Sequence, residues 1–165
     1  MEVQVKVLKY PHPSLNKVCV EVKVFGPELD VILNTMFDTM IEHKGIGLAA
    51  NQVGLHYRMF TMLGPNGERL FLVNPKIVKR SFTQAMLKEG CLSAPGEFLI
   101  LEERSQWVEV EFQDEKGKSK TKRFQGIHAV CVQHETDHLD GKTHLQSKSL
   151  SREERRRLKQ KWGLK

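Results

Sequence analysis

Three cysteines in 165 residues are too few, and too odd in number, for the disulfide framework of a small secreted scaffold. No apolar run approaches the roughly 18 residues that a membrane span requires. The opening stretch, Met1 to Leu8, alternates apolar and charged residues and lacks the basic, apolar and small-residue order of a signal peptide. It reads as a first β-strand of a chain that stays in the cytoplasm. Internal repeats and low-complexity linkers are also missing, which leaves one domain with one core. Methionine is absent beyond residue 86, since all six stand at positions 1, 36, 40, 59, 62 and 86.

The net charge of +6 is unevenly spread. From Lys142 onward there are nine Lys or Arg and two acids, so this end carries +7 and the rest −1. Residues 1–146 therefore read as a nearly neutral body. Residues 147–165 read as a basic helical tail that is not a separate domain. A solvated helix accounts for such a tail, and so does a contact with ribosomal or other RNA phosphate.

The periodicities predict an α+β fold with mostly antiparallel strands around a buried helix. Gly26-Pro27 opens an N-terminal helix, with proline in its favoured first turn. Leu29, Ile32, Leu33, Met36, Phe37 and Met40 recur at helical spacing as a core stripe, and Gly45 is the expected stop. Strands are expected at Arg58–Leu63 and Leu70–Val73, with Pro75 breaking the run before Ile77-Val78. Trp107–Phe112 alternates with the period of a half-buried strand and is followed by Lys118–Phe124. A second helix is predicted over Ala129–Leu139. A short basic one starts at Ser151, where Glu154 completes a capping-box pattern.

That second helix holds the chemistry. His134-Glu135-Thr136-Asp137-His138 is an HExxH motif. Residues i and i+4 lie about 40° apart around a helix and about 6 Å along it, so two imidazoles reach one metal with the glutamate beside it. Two accidental histidines on a surface helix are the bland alternative, but Ala129, Val130, Cys131 and Val132 make this helix largely buried. Buried imidazoles and carboxylates are costly unless paired or metallated. A catalytic metal needs a third protein ligand and one open position. Cys91, Cys131 and His144 are the candidates. Cys131 lies on nearly the same helical face and reads as a small buried residue lining the site. Cys91, in Glu89-Gly90-Cys91-Leu92-Ser93, comes from another segment and can close the shell without strain.

Three segments together resemble the peptide deformylase family. Gly45-Ile46-Gly47-Leu48-Ala49-Ala50-Asn51-Gln52-Val53-Gly54, then Glu89-Gly90-Cys91-Leu92-Ser93, then Gln133-His134-Glu135-Thr136-Asp137-His138-Leu139 match its three motifs in order. The resemblance implies a metallohydrolase that removes the formyl group from new N-termini, a linear amide. Its metal ligands would be Cys91, His134 and His138, with Glu135 as acid–base and Gln52 and the Leu92 N–H at the oxyanion. A methionine pocket would involve Ile46, Leu87, Ile127, Val130 and Cys131, each of which also fits plain core, and Gly47 would let the substrate backbone lie close. Glu89 and Asp137 would orient ligands. One divalent metal is implied, Fe2+ by family preference, with Zn2+, Ni2+ or Co2+ able to substitute. The expected partners are nascent formyl-methionyl peptides, with the ribosome in reach of the tail and no membrane. The chain is expected to be a monomer. Lys44, Phe98 and Glu103 depart from the common pattern, which carries an acid, an arginine and an arginine there; Arg104, one residue on, is positioned to replace the last.

Two other readings compete. His134 to His144 also satisfies HExxHxxGxxH, the pattern of a metzincin endopeptidase, with His144 as third ligand. That class requires a later methionine turn, and none of the 21 residues after His144 is methionine. A ribosome- or RNA-binding module with a structural metal is the non-enzymatic alternative, but a structural zinc is usually closed by four protein ligands.

Overall fold

The computed structural model describes residues 5–165. Of the strand expected at Met1–Leu8, Met1–Gln4 lie outside the described residues, and residues 5–9 run without strand pairing. Leu8 instead donates its N–H to the Gln52 carbonyl (2.7 Å), which ties this segment to the site.

Five strands form an antiparallel sheet: β1 (Gly47–Ala49), β2 (Met59–Leu63), β3 (Arg69–Arg80), and, beyond a separate hairpin, β6 (Trp107–Gln113) and β7 (Ser119–Gln125), in the order β1-β2-β3-β6-β7. The hairpin is β4 (Lys88–Cys91) with β5 (Ala94–Ile100). Helix α1 spans Pro27–Glu42, α2 Gly126–Leu139 and α3 Arg152–Trp162.

Side chains alternate across a strand, and this sheet uses both faces. Phe60 and Met62 of β2 and Leu72 of β3 pack with Ala129, Cys131 and Val132 of α2. Met59, Phe71 and Val73 point the other way, onto Leu29, Leu33, Met36, Phe37 and Met40 of α1. The α1 stripe is thus core, as its spacing predicts. A third cluster joins Leu99 and Leu101 at the hairpin to Leu145, Leu150 and Leu158 of the C-terminal segment.

Three expectations are corrected. Pro75 does not break the strand: β3 continues through it, with a register shift between Val73 and Lys76 that absorbs the missing donor. Asn74, at φ 51°, turns the chain there and braces it through Val22 and Gln113. Secondly, α1 stops before Gly45. Lys44 takes the left-handed conformation (φ 59°) and donates to the Ile41 carbonyl, while the Gly45 N–H reaches Met40 (both 2.9 Å). This is a Schellman closure with lysine where glycine is usual. Thirdly, α3 is not simply a solvated helix. Ser151 caps it by accepting from the Glu154 N–H (3.1 Å), and Leu158 is fully buried.

Candidate metal centre

The hairpin and α2 bring the ligands together. Cys91 ends β4 opposite Ala94, so a tight turn at Leu92-Ser93 presents its sulfur toward α2. On α2, His134 and His138 are one turn apart and buried. Cys91 Sγ lies 3.3 Å from His138 Nε2, which is 3.1 Å from His134 Nε2. All three ligand atoms fall within 4.8 Å of one another, and this is the group of metal-ligating type found among the described residues. His144 is not part of it. That residue is buried with its ring 5.0 Å from the His134 ring, and neither nitrogen has a protein partner. The metzincin ligand set is therefore not assembled.

A second layer orients the first. His134 Nδ1–H donates to Glu89 Oε2 (2.6 Å), leaving Nε2 free to ligate. Arg104 donates to both Glu89 oxygens (2.7 and 2.9 Å) and to Asp137 (2.7 Å). Arg104 is thus the inward arginine, while Glu103 accepts from the Ser147 hydroxyl.

The electrostatics suit a cation. Burial, with Arg104 nearby, pushes the His134 imidazole down to about 3, so it is neutral. His138 is pushed the same way by burial and by His134. Burial and Glu135 push the Cys91 thiol well up; a coordinated divalent cation reverses that balance and leaves a thiolate. Glu135 is buried, its carboxyl pushed up by burial and by Glu89, and its Oε2 has no protein partner. Two bare imidazole nitrogens facing a sulfur and an unpartnered carboxylate oxygen therefore fit one metal ion.

Gln52 sits in the short helical turn after β1. Its side-chain Oε1 accepts from the Ala49 N–H (2.9 Å), which turns its NH₂ toward Ser93 Oγ (3.0 Å) and Cys91 Sγ (3.5 Å). Gly47 must be glycine, since a Cβ there would stand 2.6 Å from Cys131 Sγ and 2.7 Å from Glu135 Oε1.

A cavity of about 520 Å³ opens over these groups. Ile46, Gly47, Leu92, Ile127, Val130 and Cys131 line it. Leu87 does not: it lies just before β4 and is partly exposed, whereas its neighbour Lys88 faces the cavity. Sequence reasoning also passed over Lys9, His43 and Pro95, which contribute to the wall. The hairpin strand β5 was missed too; Phe98, 64% exposed, stands across from Gly90, where a Cβ would come within 2.6 Å of its ring.

Known proteins resemble this chain in sequence and in fold. The sequence matches the family profile described as polypeptide deformylase over residues 4–155. It is 40% identical over 156 residues to a peptide deformylase-like protein of Agrobacterium fabrum, covering 94% of this chain and 93% of that one. It is 38% identical over 157 residues to the peptide deformylase of Chromobacterium violaceum, again covering 94% and 93%. The fold superposes on a Synechococcus elongatus peptide deformylase, solved in complex with actinonin, at a TM-score of 0.88 and 30% identity, covering 100% of this chain and 92% of the other.

Proposed function

The chain belongs to the peptide deformylase family and is a metal-dependent hydrolase that removes the formyl group from nascent peptides, and from this premise we propose which residues carry each part of the reaction. The observation that supports the assignment is the convergence of Cys91, His134 and His138 beside the unpartnered Glu135 oxygen. These three residues hold the single metal. When bound, it would supply Lewis-acid polarisation of the formyl carbonyl and lower the pKa of the attacking water. Fe2+ is the resident ion by family preference, although a mixed sulfur and nitrogen set also suits Zn2+, and Ni2+ or Co2+ substitute.

Glu135 takes the proton of the attacking water and passes it to the leaving amine. Its raised affinity for a proton in this buried position suits the first step, taking the proton. The Gln52 NH₂ and the Leu92 N–H stabilise the negative charge that develops on the formyl oxygen. Glu89, held by Arg104, keeps His134 in the tautomer that leaves Nε2 available. Ile46, Val130, Cys131 and Ile127 receive the methionine side chain, and Gly47 gives the peptide backbone close approach. Residues up to 146 carry the chemistry, and 147–165 brace the hairpin. The protein acts as a monomer in the cytoplasm. Arg152, Arg155, Arg156 and Lys159, exposed on α3, are available to ribosomal phosphate.

Formate release from formyl-Met-Ala-Ser, run beside an assay for internal peptide cleavage, tests this reading. Wild type should release formate and leave the peptide bonds intact. His144→Ala should keep close to one metal per chain, whereas Cys91→Ala should lose the metal or nearly all activity. A cobalt-substituted enzyme should show an intense near-ultraviolet thiolate band that Cys91→Ala lacks. Internal cleavage, or a band that persists without Cys91, would overturn the assignment.

A further inference from the structure

The charged groups around the cavity are sorted by depth. Two acids line it, and both are buried: Glu89 is paired with Arg104 and accepts a hydrogen bond from His134, and Glu135 lies beside the ligands. At the mouth the charged or ionisable side chains are Lys9, His43, Lys44 and Lys88, all exposed. None of the three lysines lies within 4.0 Å of a carboxylate among the described residues, although lysines elsewhere on the surface, such as Lys116 and Lys161, are so paired. Lys44 also occupies a left-handed position that glycine or asparagine fills at less cost.

We propose that this mouth selects formyl-methionyl peptides carrying acidic side chains at their third and fourth residues. The inference rests on the deformylase reading. With the formyl group at the ligands and the methionine in the apolar part of the cavity, the rest of the peptide leaves through the mouth, past Lys9, Lys44, Lys88 and the exposed Phe98 ring. Lysines without carboxylate partners repel basic residues there and attract acidic ones. They come from three separate segments: the chain before residue 10, the end of α1, and β4. A peptide in the mouth therefore meets cationic charge from several sides. Because the groups are solvated, each contact is modest and weakens with salt.

Three C-terminally amidated peptides test it: formyl-Met-Ala-Asp-Glu, formyl-Met-Ala-Ser-Ser and formyl-Met-Ala-Lys-Lys. Amidation removes the terminal carboxylate, which the same lysines would otherwise bind. At low ionic strength kcat/KM should favour the acidic peptide over the neutral one by roughly 2- to 5-fold per acid, with the basic peptide poorest. The spread should arise in KM and collapse at 0.5 M salt. Lys44→Asn combined with Lys88→Gln should reduce the acidic preference to under about 2-fold, with circular dichroism confirming the fold. Equal kcat/KM for all three peptides, or a preference unchanged by the double substitution or by salt, would overturn the proposal while leaving the deformylase reading intact. Failure to deformylate any of them would instead overturn that reading, and this inference with it.

Discussion

Helices α2 and α3 are both rich in ionisable side chains, and they place them in opposite ways. On α2, His134, Glu135 and His138 point inward and are nearly inaccessible. On α3 the side chains of seven Lys, Arg and Glu residues between 152 and 161 are exposed, and Leu158 is the buried one. Inward charge is costly unless matched. The sequence around α2 accordingly supplies Glu89, Arg104 and Asp137 as a connected set of partners. Helix α3 needs no such set. It meets one buried acid, Glu97 of β5, which accepts from Lys161 (2.7 Å), Trp162 (3.2 Å) and Arg157 (3.4 Å). Burial rather than the density of charge distinguishes the helix that does chemistry from the one that supports it.

The contrast is tested most severely by Glu135→Gln. It should retain the metal and the fold while lowering turnover by roughly 10²–10⁴-fold, the usual worth of a positioned acid–base. Turnover near wild type with metal content unchanged would remove Glu135 from the reaction. Next, Gln52→Ala should cost about 10²–10³-fold in kcat, measured by formate release at saturating peptide. A rise in KM with normal kcat would make Gln52 a binding residue instead.

Substitutions on the α3 side should act on stability. Leu158→Ala should lower unfolding free energy by about 2–5 kcal/mol, read from denaturant midpoints, while turnover of a short peptide persists below the melting temperature. A loss well under 1 kcal/mol would mean that the helix is an appendage. The smallest effect belongs to Glu97. Its contacts with Lys161, Arg157 and Trp162 lower its carboxyl to about 2 in the folded chain, against about 4.3 for a free glutamate. A carboxyl lowered by folding adds stability above its unfolded value, and that stability is lost as pH falls toward the folded one. Wild type should therefore melt roughly 2–4 °C above Glu97→Gln at pH 6, and the gap should close between about pH 4 and pH 2. A gap constant across that range would show that the charge contributes nothing.

What could be read in advance follows the same division. HExxH, the Glu89–Ser93 segment and the Gly45–Gly54 segment are contiguous, so each displayed its chemistry without tertiary knowledge. The α1 stripe and the β6 alternation were legible for the same reason. Features depending on distant partners were not. Nothing local shows that Pro75 sits at a bulge, because the compensation comes from Val22 and Gln113. Strand β5 carries Pro95 and Gly96, residue types that weaken a strand pattern. Leu158 stands alone among charged neighbours, and only the third core cluster shows where it goes. Leu87, implied as a pocket residue only by the family resemblance, lies just ahead of β4 and off the wall that residues 88–92 line.

Arg104 bears on the order in which a newly made chain becomes competent. Its guanidinium ties Glu89, 15 residues earlier, to Asp137, 33 residues later. The sulfur ligand precedes both histidine ligands by more than 40 residues. A growing polypeptide that has emerged only through β6 and β7 already holds Gln52 and Cys91, yet it has neither imidazole. The hairpin is braced later still, when Leu158 and the cations that meet Glu97 follow. The ligand set thus cannot be complete before α2 is made, so a product cut short ahead of His134 would lack both imidazoles and be inert.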